Sequence, residues 1–131
     1  MLDSHALSEL ARDAPSMRAW MALADRTGSD LYVSTVTLTE VSDGTARDAH
    51  VRRALQNLNT PIPPSVAIAF HAGRLRATAA GSRRKPRDLT VDAIVAATAL
   101  TLRPPVVVLT SDKPNLDRLL DGTGVDVRSL G

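Results

Sequence analysis

The sequence predicts an α/β protein: a three-layer α/β/α sandwich around a central, mainly parallel sheet, with its first strand truncated. Two observations carry that prediction. Short apolar runs at 31–35 and 106–110 are too brief for helices, and they alternate with longer stretches of helical period. Strands separated by helices pair in parallel and are covered on both faces. The chain has 131 residues, of which 44% are hydrophobic. That is the size of one ordinary domain with enough apolar surface for one core, so residues 1–131 are read as a single domain.

The elements follow in order. The chain opens Met1-Leu2-Asp3, so only two residues precede the first acid. A central strand ordinarily contributes about five residues. The stub therefore predicts a reading frame that continues upstream of Met1, and it predicts Asp3 as the least firmly held of the acids considered below. A helix runs from Ser4 to about Ala11. A second follows Asp13-Ala14-Pro15, with Asp13 as its N-cap and Gly28 as its end. After the strand at 31–35 come helical patterns over about 37–43 and 48–58, then a very short strand at 60–62. Helices over about 64–79 and 89–102 lead to the buried strand at 106–110. A last helix covers 114–120, and 125–130 alternates with period two, as an edge strand does.

Composition removes several classes of function. Without cysteine there is no disulfide, zinc–thiolate site, iron–sulfur cluster or thiol nucleophile, which suits a cytoplasmic protein. No apolar run approaches the roughly 18 residues of a membrane span, and no charged-then-apolar leader opens the chain. Aromatics are 2% (Trp20, Tyr32 and Phe70), too few for base-stacking platforms. The net charge is +2, but its distribution is uneven. From His71 to Arg87 there are six Lys and Arg residues and no acid, ending in Arg83-Arg84-Lys85-Pro86-Arg87. Such a stretch is either an RNA-facing loop that tracks phosphates or an ordinary solvated loop.

Ligands of a parallel sheet sit outside the carboxyl ends of its strands, so the acids expected at that edge matter most. Asp3 ends the stub and precedes a helix. Glu40 lies in the helix after the strand at 31–35. Asp92 occupies the first turn of a helix that is otherwise small and apolar, and Asp112 follows the strand at 106–110. Each has an ordinary explanation: Asp3 and Asp112 as N-caps, Asp92 as a partner of the helix dipole, Glu40 as a solvent-facing residue. Together they point further. Carboxylates about 4–6 Å apart repel by roughly 4 kcal/mol per close pair at an effective dielectric of 20, and stay ionised only around cations. All-oxygen ligands indicate Mg2+ or Mn2+ rather than zinc. His5, His50 and His71 lack metal-ligand spacing. With four acids committed to metal, 16 basic residues face 10 acidic ones, a balance that suits a polyanionic substrate. Asp43, Asp48, Asp88 and Asp117 read as surface or capping acids.

Five segments resemble the PIN domain, and within it the VapC-type toxin ribonucleases of bacterial toxin–antitoxin pairs. Leu2-Asp3-Ser4-His5-Ala6-Leu7 resembles the family's opening, and Val36-Thr37-Leu38-Thr39-Glu40-Val41 its second-acid helix. Ala72-Gly73-Arg74-Leu75-Arg76 is similar to an internal helix of the family. The stretch from Val91 to Leu100 is similar to the family's small-residue helix opened by an acid, and Val108-Leu109-Thr110-Ser111-Asp112 to its strand ending in Thr-x-Asp. The resemblance implies that Asp3, Glu40, Asp92 and Asp112 are catalytic and metal-binding, with Ser4 and Thr110 as supporting hydroxyls. Asn115 stands where many relatives carry another acid.

What the resemblance implies, then, is an endoribonuclease that uses Mg2+ or Mn2+ and a metal-activated water on RNA phosphodiesters. It also implies a homodimer and a small VapB-type antitoxin that covers the acidic pocket. A PIN-like module that binds RNA or protein without cutting is the alternative. A phosphatase-like hydrolase would need an Asp-x-Asp pair at the first strand, which this chain lacks.

Overall fold

The computed structural model of the chain describes residues 1–81 and 89–130, so Arg83, Arg84, Lys85, Arg87 and Asp88 lie outside the described residues. Its elements are α1 (Ser4–Ala11), α2 (Pro15–Thr27), α3 (Thr35–Val41), α4 (Arg47–Leu55), α5 (Val66–Ala80), α6 (Thr90–Ala99), β1 (Val107–Thr110), α7 (Lys113–Leu119) and β2 (Asp126–Ser129). The α/β class is as predicted, but the regular sheet is small.

β1 and β2 pair in parallel, from Val107 opposite Asp126 to Thr110 opposite Ser129. Isolated parallel bridges extend the sheet the other way: Leu2 with Leu109, Leu2 with Val33, and Ser34 with Ile62. The predicted strands at 31–35 and 60–62 thus contribute isolated bridges, at Val33 and Ser34 in the first and at Ile62 in the second. The reason lies in Ser34, which pairs with Ile62 and at once caps α3, its Oγ accepting the Val36 N–H at 3.2 Å. The backbone turns helical at Thr35, so the ladder ends at Ser34.

The stub is held on both sides. The Leu2 N–H donates to Tyr32 O at 2.9 Å, the Leu109 N–H to Met1 O at 2.9 Å, and the Asp3 N–H to Leu109 O at 3.1 Å. The Met1 ammonium donates to Val107 O at 2.9 Å, and burial pushes that ammonium down to about 6. This corrects the expectation that Asp3 frays. At 6% exposure, with its backbone bonded into the sheet, Asp3 is firmly held.

Side chains alternate along β1, so Val108 and Leu109 enter different buried clusters. Val108 packs with Val127 and with α6, whose Ala93, Val95, Ala96, Ala97 and Ala99 are all buried. Leu109 packs with Leu2, Val33 and the inner faces of α1, α2 and α4. A second correction concerns Asp13. It takes a left-handed φ of 56°, and Ala14 is the N-cap of α2, with Pro15 in the first turn. Among the described residues no helix is long and apolar enough to cross a membrane.

Candidate functional site

Parallel pairing brings the carboxyl ends of the strands to one edge, and α1, α3 and α7 start there. Asp3 follows the Leu2 bridge and caps α1, its Oδ1 accepting the Ala6 N–H at 2.8 Å. One residue on, the Ser4 hydroxyl donates to Glu40 Oε1 and so ties the first turn of α1 to the last turn of α3. Glu40 is itself exposed.

Asp112 stands beyond β1 and caps α7. Its Oδ1 accepts the Asn115 N–H at 3.4 Å, and its Oδ2 accepts the Asn115 side-chain amide at 2.6 Å. Thr110, fully buried at the end of β1, accepts the Asp112 N–H on Oγ1 at 2.8 Å. Asp3 and Asp112 therefore do serve as N-caps. Capping fixes where each carboxylate sits.

Asp92, in the first turn of α6, has no such support. Its carboxyl is pushed up from 3.8 to about 6, chiefly by burial, then by the charges of Asp112, Asp3 and Glu40 in that order. Four acids distant in sequence thus share one field. Fields reach further than ligand bonds, however, and among the described residues no three His, Cys, Asp or Glu side chains stand together as a ready-made ion cage.

The donor set can nonetheless serve a hard cation. Every acid at the edge offers oxygen, and buried beside Asp112 is an orphaned oxygen, Asn115 Oδ1, which finds no hydrogen-bond partner. Thr37, one turn before Glu40 on α3, has an equally unpartnered and fully buried Oγ1. Asp48, Asp43 and Asp117 are engaged locally. The Ser42 hydroxyl, then the Asp43 N–H, hold the Asp48 carboxyl below the usual range, and the Thr45 hydroxyl does the same for Asp43. Asp117 pairs with Lys113 at 2.8 Å.

Sequence reasoning placed its basic surface at 83–87, outside the described residues, and missed another. Arg12, Arg47, His50 and Arg53 line a groove of about 410 Å3 between the end of α1 and α4. The period-three spacing of residues 47, 50 and 53 was the available signal. That α1 forms the other wall was not legible, because it depends on tertiary packing.

A parallel α/β edge that gathers carboxylates has the oxygen donors to take a hard divalent cation. The PIN domain family matches the chain over residues 1–119, and the chain belongs to that family. PIN domains are in general metal-dependent nucleases that bind nucleic acid and hydrolyse phosphodiester bonds, typically with Mg2+. No curated protein matches the chain.

Proposed function

We propose that this PIN domain is an endoribonuclease on a three-layer α/β/α scaffold, and the toxin of a VapC-type toxin–antitoxin pair in the cytoplasm. Asp3, Glu40, Asp92 and Asp112 would hold Mg2+ or Mn2+, with Asn115 Oδ1 as a further oxygen donor. The observation that carries the reading is Asp92. A carboxyl raised to about 6 by burial and by three other acids marks a place where negative charge is concentrated at a cost to folding. Such a cost is relieved by a cation.

A divalent cation held by these acids would supply charge neutralisation at a phosphoryl oxygen and a water of lowered pKa, ionised to hydroxide near neutral pH. The chain's own residues do the positioning. Thr110 and Asn115 hold Asp112, and the helix cap holds Asp3. Ser4 fixes one oxygen of the exposed Glu40.

Self-association is supported by α5, where Val66 and Phe70 lie one turn apart on the surface, 75% and 69% exposed. A homodimer would cover them. A VapB-type antitoxin would act by occluding the acidic edge. The non-cleaving alternative is favoured by one observation, the lack of a preassembled three-acid cage among the described residues. Incubating the full chain with single-stranded RNA separates the two. Cleavage that starts with Mn2+ and stops with excess EDTA supports the nuclease, and binding without cleavage in Mn2+ supports the alternative.

A further inference from the structure

The groove between α1 and α4 has a chemistry of its own. Ser8 and Arg12 follow Ser4 at four-residue intervals, so they continue the α1 stripe that begins at the Ser4–Glu40 hydrogen bond. Val41, next to Glu40, lines the same groove. The groove thus adjoins the acidic edge. Its far wall is α4, where Arg47, His50 and Arg53 lie three residues apart and all three are exposed. At 1.5 Å per residue they span about 9 Å, room for two neighbouring backbone phosphates.

The opposing charge in the groove is already engaged or weakly held. Asp13 pairs with Arg18 at 3.3 Å, Arg12 pairs with Glu9, and Arg47 lies 3.9 Å from Asp43. Among the described residues Arg53 and His50 have no carboxylate within 4 Å. Exposed pairs of this kind are worth little, so Arg47 exchanges Asp43 for a phosphate at small cost. An arginine fork also suits phosphate oxygens better than a lysine would.

We propose that this groove is a phosphate track, on which Arg12, Arg47, His50 and Arg53 hold single-stranded RNA to one side of the bond that is cut. The proposal rests on the ribonuclease reading for the position of that bond, but not for binding itself. Binding is therefore measured without catalysis, as the affinity of the full chain for a fluorescein-labelled single-stranded RNA in EDTA across a range of salt. R47Q/R53Q changes two exposed side chains, and R26Q/R103Q removes the same charge outside the groove, from the last turn of α2 and from the segment before β1.

The track predicts weaker binding for R47Q/R53Q and a log–log salt slope shallower by about 0.7 per lost contact, or about 1.4 for the pair. The R26Q/R103Q slope should stay unchanged, and R26Q/R103Q should cut RNA in Mn2+ at the unmodified rate. Equal slopes for R47Q/R53Q and the unmodified chain would overturn the track and leave the groove to an acidic peptide. An equal loss in R26Q/R103Q would overturn it too, because net charge alone would then explain binding. A chain that binds with the predicted slopes but cuts nothing in Mn2+ would retire the nuclease reading and leave the track standing.

Discussion

At the residue scale, Asp3 and Asp92 show two ways of placing a carboxylate. Asp3 is held by structure it also stabilises, since its Oδ1 caps α1. Cap and charge separate by substitution. Asp3→Asn keeps a good cap and should melt close to the unmodified chain, whereas Asp3→Ala should lose about 1 kcal/mol. Equal melting temperatures in denaturation scans of the two variants would mean that the cap contributes nothing. Asp92 has the opposite relation to stability. Its folded-state value of about 6 lies above its ordinary 3.8, so the folded chain holds that proton more tightly than the unfolded one. The associated stability is fully present below about 4 and is lost as pH rises through about 6. In EDTA, Asp92→Asn should therefore raise the melting temperature at pH 7, and the gain should shrink as pH falls from about 6 to 4. The Met1 ammonium, lowered from 8.0 to about 6, acts in the window above and with the reverse slope, so the two are distinguishable. That Asp92 opens an otherwise small and apolar helix was legible in the sequence. The firm hold on Asp3 was not, because it comes from hydrogen bonds to Leu109 and Tyr32, far along the chain.

At the scale of elements, the helices were read well and their limits less so. Each shifted boundary has a local cause. α3 starts at Thr35 rather than near 37 because Ser34 leaves the sheet directly into a cap. α5 starts at Val66 because Pro63 and Pro64 precede the capping Ser65, whose Oγ accepts the Ile68 N–H at 3.1 Å. The strands at 31–35 and 60–62 were overestimated, since apolar pattern reports burial and not the length of a ladder. α6 is the element on which the site depends most, because its close approach aims Asp92 into the edge. That approach needs small residues: Ala93, Ala96, Ala97 and Ala99 are no more than 1% exposed. Ala96→Leu should overpack this contact and cost about 1–3 kcal/mol in urea unfolding. An unchanged midpoint would show that the helix stands further off than its burial indicates.

At the scale of the whole molecule, a nearly neutral protein is divided electrostatically. Four acids share one edge, while arginines line a groove beside it and crowd residues 83–87. The net charge of +2 hides that division. A polyanion meets attraction from the groove, and in the proposed function a cation offsets the repulsion at the acids. Sequence alone singled out the four acids and the expectation of a metal. It could not reveal the groove, whose walls α1 and α4 are brought together by packing around Leu7, Met17 and Val51. The central claim is that the acidic edge cuts RNA through a bound divalent ion. The most direct test is the single-turnover rate of RNA cleavage in Mn2+ for the unmodified chain, Asp92→Asn and Asp112→Asn. Removing an orienting partner of a metal ligand costs 10–100-fold elsewhere, so removing a ligand should slow cleavage by about 100-fold or more. Rates in both variants equal to that of the unmodified chain would contradict the account.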